Sequence, residues 1–231
     1  MDGDANDAKG TNHGTSTGVT FLTAGMKRGT GMATMPGSQS QSIALGTTPS
    51  FAGGVMTWAA WIQSSAANAA AGDHRVILGR SHMYYELIPH VTTGTLLFQG
   101  ANDANGVSHS KIDTDVDVLS DTSWHHVAFT CDTDKSAGLY VDGAKVESFT
   151  VPSGVSLDDG NGAGYALWIG ARDPNAGGRH PFLGNIDEVS AWSRALSEAE
   201  MATEHAGSSM DGSGQAASDP AAEYAAKLSA A

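Results

Sequence analysis

The sequence predicts an all-β protein: a two-sheet antiparallel β-sandwich with a short closing helix and extended terminal arms. Three observations predict it. The 29 glycines among 231 residues are scattered rather than periodic, which marks many turns and short strands rather than long helices. From Val19 to about His205, apolar stretches alternate with turn signals, as in a sandwich. The run "LYVDGAKVESF" sets Asp142-Gly143 between two β-prone pieces. That dipeptide suits a two-residue type I′ turn, whose central positions both need positive φ.

Taken in order, residues 1–18 are Gly, Asp, Asn and Thr with almost nothing to bury, and read as an arm. Residues 19–205 form the sandwich. In "KIDTDVDV", Asp113, Asp115 and Asp117 share one strand face opposite Ile112, Thr114, Val116 and Val118; a solvated face is the expected role of the carboxylates. In "SWHHVAFT", Val127 and Phe129 point one way and His126 and Ala128 the other. Successive strand side chains diverge, so His125 and His126 do not hold one metal together, and both read as structural. The hairpin is expected as Leu139–Val141 with Ala144–Phe149.

"YALWIGA" is the next strand, with Leu167 and Ile169 on one face and Trp168 on the other. In "FLGNIDEVSAW" the spacing of Ile186, Val189 and Trp192 breaks period two, which a bulge near Asp187-Glu188 explains. Ser197 and Glu200 then form a Ser-x-x-Glu capping box for a short helix through about Glu204. Residues 206–231 read as a Gly/Ser-rich linker and a short C-terminal helix, with Asp219 as cap and Pro220 at its first position.

Composition narrows function. A net charge of −13 disfavours nucleic acid and anionic membranes as partners. With Cys131 as the single cysteine no intrachain disulfide forms. No apolar run approaches the roughly 18 residues of a membrane span, and the opening "MDGDANDAKG" lacks the features of a signal peptide. "GTSTG" (Gly14–Gly18) matches an esterase motif formally, but no buried strand precedes it. "DGDAND" lacks the glycine and closing glutamate of a helix–loop–helix calcium site.

The ordered series "SWHHVAFTCD", "LYVDGAKV", "LWIGA" and "FLGNIDEVSAWSRALSEAEM" resembles the laminin-G-like jelly roll of the concanavalin A-like lectin/glucanase superfamily. Trp124, His126, Val127 and Ala128 match its first element; Tyr140, Val141, Asp142 and Gly143 match its second, and Ile169 with Gly170 its third. Gly184, Ile186, Asp187, Glu188 and Val189 match the fourth, and Arg194 through Ser197 with Glu200 the last. Upstream, "QSIALG" and "MTWAAWI" resemble early strands. The resemblance covers about Met32 to His205 and implies a concanavalin A-like jelly roll.

It also implies what to look for. Glucanases of the superfamily carry a Glu-x-Asp-x-(x)-Glu strand, placing nucleophile and acid/base on one face. That pattern is absent here, so hydrolysis is not expected. The resemblance implies a structural calcium at Asp187, the one cofactor it suggests. For ligand recognition, Trp168, Tyr84, Tyr85, Arg172 and Arg179 are the candidates for stacking on and hydrogen-bonding a sugar or protein. The expected function is a non-catalytic lectin-like adhesion or assembly module. Its first version is a structural or decoration protein on a particle such as a phage virion, with the terminal arms meeting neighbouring subunits. Its alternative is a secreted calcium-dependent lectin that binds glycans, and a glycoside hydrolase comes third.

Overall fold

The computed structural model describes residues 4–6, 13–45, 51, 54–65, 75–80, 85–90, 92–101, 109–155, 157, 166–172, 180–207 and 226–228. Fifteen strands and one helix follow in chain order. They begin with β1 (Thr15–Thr17), β2 (Thr20–Leu22), β3 (Met32–Pro36), β4 (Ser42–Ala44), β5 (Met56–Ser64), β6 (Leu78–Gly79) and β7 (Tyr85–Pro89). Next come β8 (Thr95–Ala101), β9 (His109–Asp117), β10 (Trp124–Cys131), β11 (Ser136–Val141), β12 (Ala144–Thr150) and β13 (Trp168–Ile169). The chain closes with β14 (Leu183–Trp192), α1 (Glu198–Ala206) and β15 (Ala226–Leu228).

Two antiparallel sheets face each other, as expected. The smaller runs β1-β4-β13-β6-β7-β8-β9, and the larger runs β12-β11-β10-β5-β14-β3-β2 with β15 added to β14. Period-two alternation sends Leu87 and Phe98 of the smaller sheet, and Trp58, Val127, Phe129 and Leu139 of the larger, into one core. Phe98 stacks on Phe129 across the gap, with ring centroids 4.7 Å apart. Such contacts add to the burial of apolar area, the main favourable term.

The hairpin forms as its sequence dictates. Asp142 and Gly143 have φ of 50° and 80°, the positive pair that lets two residues reverse the chain between β11 and β12. The bulge also falls where the broken alternation places it: the β14–β5 register shifts between Asp187 and Ser190, and Glu188 carries a φ of 48°.

Outside the larger sheet lies a second buried layer. Ser197 caps α1: its hydroxyl accepts from the Glu200 N–H while the Glu200 carboxylate accepts from the Ser197 N–H. Leu196 and Met201 then pack on Ala59, Ala128 and Tyr140 of the sheet. The Arg28 guanidinium donates to the carbonyls of Glu204, at 2.9 Å, and His205, satisfying helix C-terminal acceptors. Arg194 and the Ser197 N–H and hydroxyl, the hydrogen-bonding partners of Glu200, outweigh its burial and hold its carboxyl down at about 2.

Both terminal segments depart from the sequence reading. Residues 1–18 were expected as an arm, yet Thr15–Thr17 pair with β4 as an edge strand and Ala5 packs against the core. The C-terminal segment was expected to be helical, but Ala226–Leu228 are extended and pair with Val189–Ala191. The reason lies in β14. Strand β3 accompanies it only to Ile186, so past the bulge that edge of β14 offers open backbone groups. A short isolated helix does not compete with such an edge. The remainder of 219–231 lies outside the described residues.

Candidate functional site

Alternation along the smaller sheet turns one set of side chains outward, away from the core. Strand pairing places them in a single row: Ala44, Trp168, Gly79, Glu86, Gln99 and Lys111 are cross-strand neighbours in that order. Trp168 is half-buried and Lys111 exposed at the two ends. Between them Glu86 and Gln99 are buried, at 1 % and 5 % exposure.

Gly79 is small for a reason. A Cβ there would approach Glu86 Cγ to 2.9 Å and the Tyr85 carbonyl oxygen to 3.2 Å, so glycine leaves the room that the glutamate occupies. Arg172 then reaches in. Its Nε donates to Glu86 Oε1 at 2.5 Å and its Nη2 to Oε2, the bidentate geometry for which a guanidinium is preorganised. Gln99 Nε2 adds a long contact of 3.5 Å to Oε2. The product is a rigid polar layer, buried beside an indole that retains exposure. With both oxygens engaged by Arg172, Glu86 is fixed in place rather than poised as one of a catalytic pair.

Of the expected ligand residues, Trp168 and Arg172 thus meet on one face through Gly79 and Glu86. Tyr85 does not join them. Alternation turns it with Leu87 into the intersheet core, where it is 5 % exposed. Tyr84 and Arg179 lie outside the described residues. Sequence reading missed the pairing of Glu86 with Arg172 and the role of Gln99; the outward phase of both in "YELIP" and "TLLFQGA" was the available signal.

Asp187 is fully buried on β14. Its Oδ2 accepts from the Lys27 and Arg28 N–H groups at 2.9 and 3.0 Å, and its Oδ1 from the Glu188 N–H at 2.8 Å. Burial, reinforced by the Glu188 charge, pushes its carboxyl up to about 6 against the pull of those three donors. This set does not fit a calcium ligand: three N–H donors engage the two carboxylate oxygens, whereas calcium takes a shell of six to eight oxygens. No group of three or more His, Cys, Asp or Glu able to hold a metal occurs among the described residues. The acidic loops 102–106 and 158–162 lie outside them.

The histidine pair divides as strand geometry requires. Burial opposes protonation of His125, but its two nitrogens lie 2.9 Å from Asp142 and 3.1 Å from Asp121, and these hydrogen bonds raise its pKa. His126 is buried edge-on against Trp61, centroids 5.3 Å apart, under the Lys27–Arg28 turn and His205. Asp113 accepts from the Thr95 hydroxyl at 2.6 Å and Asp117 caps the turn at Leu119 and Ser120, while Asp115 is exposed.

A laminin-G-type family model described as the concanavalin A-like lectin/glucanases superfamily matches residues 37–202. The chain belongs to this superfamily. Solved structures share its jelly roll. Domain 4 of AbnA, a GH43 extracellular arabinanase from Geobacillus stearothermophilus, in complex with arabinotriose, aligns with a TM-score of 0.63 at 20 % identity, over 86 % of this chain and 91 % of that one. The binding domain of Paraclostridial Mosquitocidal Protein 1 aligns with 0.62 at 16 % identity, over 82 % of this chain and 46 % of that one. The CBM40 of the Ruminococcus gnavus IT-sialidase, bound to alpha2,3 sialyllactose, aligns with 0.52 at 18 % identity, over 65 % and 82 %. The chain thus spans about half the length of the mosquitocidal protein's binding domain. No curated protein matches the chain. No helix among the described residues is long and apolar enough to cross a membrane.

Proposed function

We propose that this lectin-like jelly roll is a non-catalytic glycan-binding module that acts outside the cell, with the outward row of the smaller sheet as its ligand face. The observation that carries the reading is the half-exposed Trp168 held beside the Glu86–Arg172 pair. An indole offers a sugar ring a flat apolar surface, and the buried ion pair beneath fixes the strands that present it. Neighbouring structures bound to arabinotriose and sialyllactose support the ligand class. The test is a glycan array probed with the full chain and with Trp168→Ala. The expected result is saccharide binding that falls by roughly tenfold or more in the variant, the scale of about 1.4 kcal/mol. Binding unaffected by the substitution, or no binding to any glycan, overturns the reading.

A second reading, a structural or decoration role on a particle such as a phage virion, is favoured by one observation. The C-terminal strand β15 completes an open edge of β14 by strand addition, a device that also joins subunits. It predicts that the full chain associates with copies of itself or with particle subunits, and that removal of residues 208–231 abolishes this. Light scattering that finds the full chain monomeric alone, with no association to particle subunits, contradicts it.

A further inference from the structure

On the opposite side of the molecule, an open groove of about 780 Å³ runs across the outer face of the β11–β12 hairpin, walled by the turn Ala195–Glu198. Its size is that of a small-ligand site, and neither the core nor the Trp168 face uses it. Gly138 forms its floor. A Cβ there would lie 3.1 Å from Tyr140 Cε2, 3.3 Å from Lys145 Cε and 3.4 Å from Thr130 Oγ1, so glycine lets the Tyr140 ring and the Lys145 stem lie close against the sheet, and the groove opens beside them.

Register sets Thr130, Gly138 and Ser148 in one outward row, with Thr150 in the next. Among the described residues, the hydroxyls of Thr130, Ser148 and Thr150 have no protein partner. Neighbouring strands are about 5 Å apart, so Thr130 and Ser148, with β11 between them, are roughly 10 Å apart, the span of two linked sugar rings rather than one. A hydroxyl both donates and accepts, and three of them around a glycine floor match a ligand that is itself a chain of hydroxyls.

We propose that this groove is a second ligand site, and that it takes a neutral saccharide. Charge argues for neutrality. Lys145 is already 2.6 Å from Glu198, Asp132 stands in the lining, and the chain as a whole carries −13, so an acidic sugar meets no free cation there. A peptide strand is disfavoured within the groove because it lies over a sheet face: β11 is paired on both sides, to β10 and β12; strand addition would use the outer edge of β12 instead, where the sheet ends. The inference extends the glycan reading but stands on a different face, so the two sites make one module bivalent. Two weak sites on opposite faces raise avidity for a branched or layered glycan surface.

The experiment follows backbone amide shifts of the full chain during titration with neutral gluco-, xylo-, arabino- and manno-oligosaccharides, and with sialylated and uronic acid-containing ones. The expected result is that a neutral oligosaccharide moves the amides of Gly138, Ser148 and Ser197. Gly138→Val, at a glycine whose φ is not positive, pushes the Tyr140 ring and the Lys145 stem into the groove and weakens that response on the order of tenfold or more; Trp168→Ala leaves it in place. Should Gly138→Val not fold, the exposed pair Ser148→Ala and Thr150→Val removes two hydroxyls without touching the core and is expected to weaken binding in the same direction. The proposal is overturned if no oligosaccharide moves these amides, if acidic ones alone do, or if the response survives the groove variants or disappears in Trp168→Ala.

Discussion

Replacing Arg172 by alanine is expected to lower the stability of the folded chain by about 3–5 kcal/mol, the cost of leaving a buried charge without its partner. Glu86 is 1 % exposed and both of its oxygens face the guanidinium. Without Arg172 the long contact to Gln99 is the remaining polar interaction described for that carboxylate. The double replacement Glu86→Gln with Arg172→Met removes both charges and is expected to recover most of the loss, because an ion pair taken out whole costs far less than one broken. Urea unfolding of the three variants checks this. A single variant within about 1 kcal/mol of wild type, the range of exposed pairs, would show that the pair is solvated and the ligand floor soft.

The second large effect is a pH dependence. His126 is 1 % exposed, and burial, with the charges of His205 and Arg28, lowers its pKa to about 3 against the partial opposition of Asp142. Above its ordinary 6.5 the imidazole is neutral in both states and its contribution to stability is fully present. As pH falls toward 3, the unfolded chain takes up a proton that the folded one refuses, so this contribution is progressively lost. The loss reaches on the order of 4–5 kcal/mol when complete.

Asp187 works in the opposite sense. Its folded pKa of about 6 lies above the ordinary 3.8, so its contribution is fully present below 3.8 and is lost as pH rises through 6. The acid limb of the wild type is therefore a composite, and the difference between wild type and His126→Gln isolates the histidine. That variant is expected to be the less stable protein at pH 7.5 and to close the gap, then overtake, as pH falls to 4. Thermal midpoints that stay parallel across this range contradict the assignment.

What the sequence made legible was local. The Asp142-Gly143 turn, the bulge at Asp187-Glu188 and the Ser197–Glu200 capping box each depend on residues a few positions apart, and each forms as expected. Alternation in "YALWIGA" correctly turned Trp168 away from the core, while its two-residue strand and its cross-strand neighbours come from pairing with β4 and β6. The ion pair was not legible, because Glu86 and Arg172 are 86 positions apart and nothing local announces either as the other's partner. Tyr85 misled because an aromatic beside Tyr84 reads as rim chemistry, whereas the phase of β7 decides its direction. The C-terminal segment misled for another reason: its helical pattern is intrinsic, and the open edge of β14 that overrides it exists only in the assembled sheet. The groove was equally invisible, being assembled from three strands and the turn before α1.

The proposed ligand of the outward face of the smaller sheet is a glycan. The most direct measurement is a crystal structure of the full chain soaked or grown with the saccharide that an array selects. The expected result is a sugar ring against the Trp168 indole, seated over the buried Glu86, Arg172 and Gln99. A ligand bound elsewhere, with the Trp168 face empty, would contradict it.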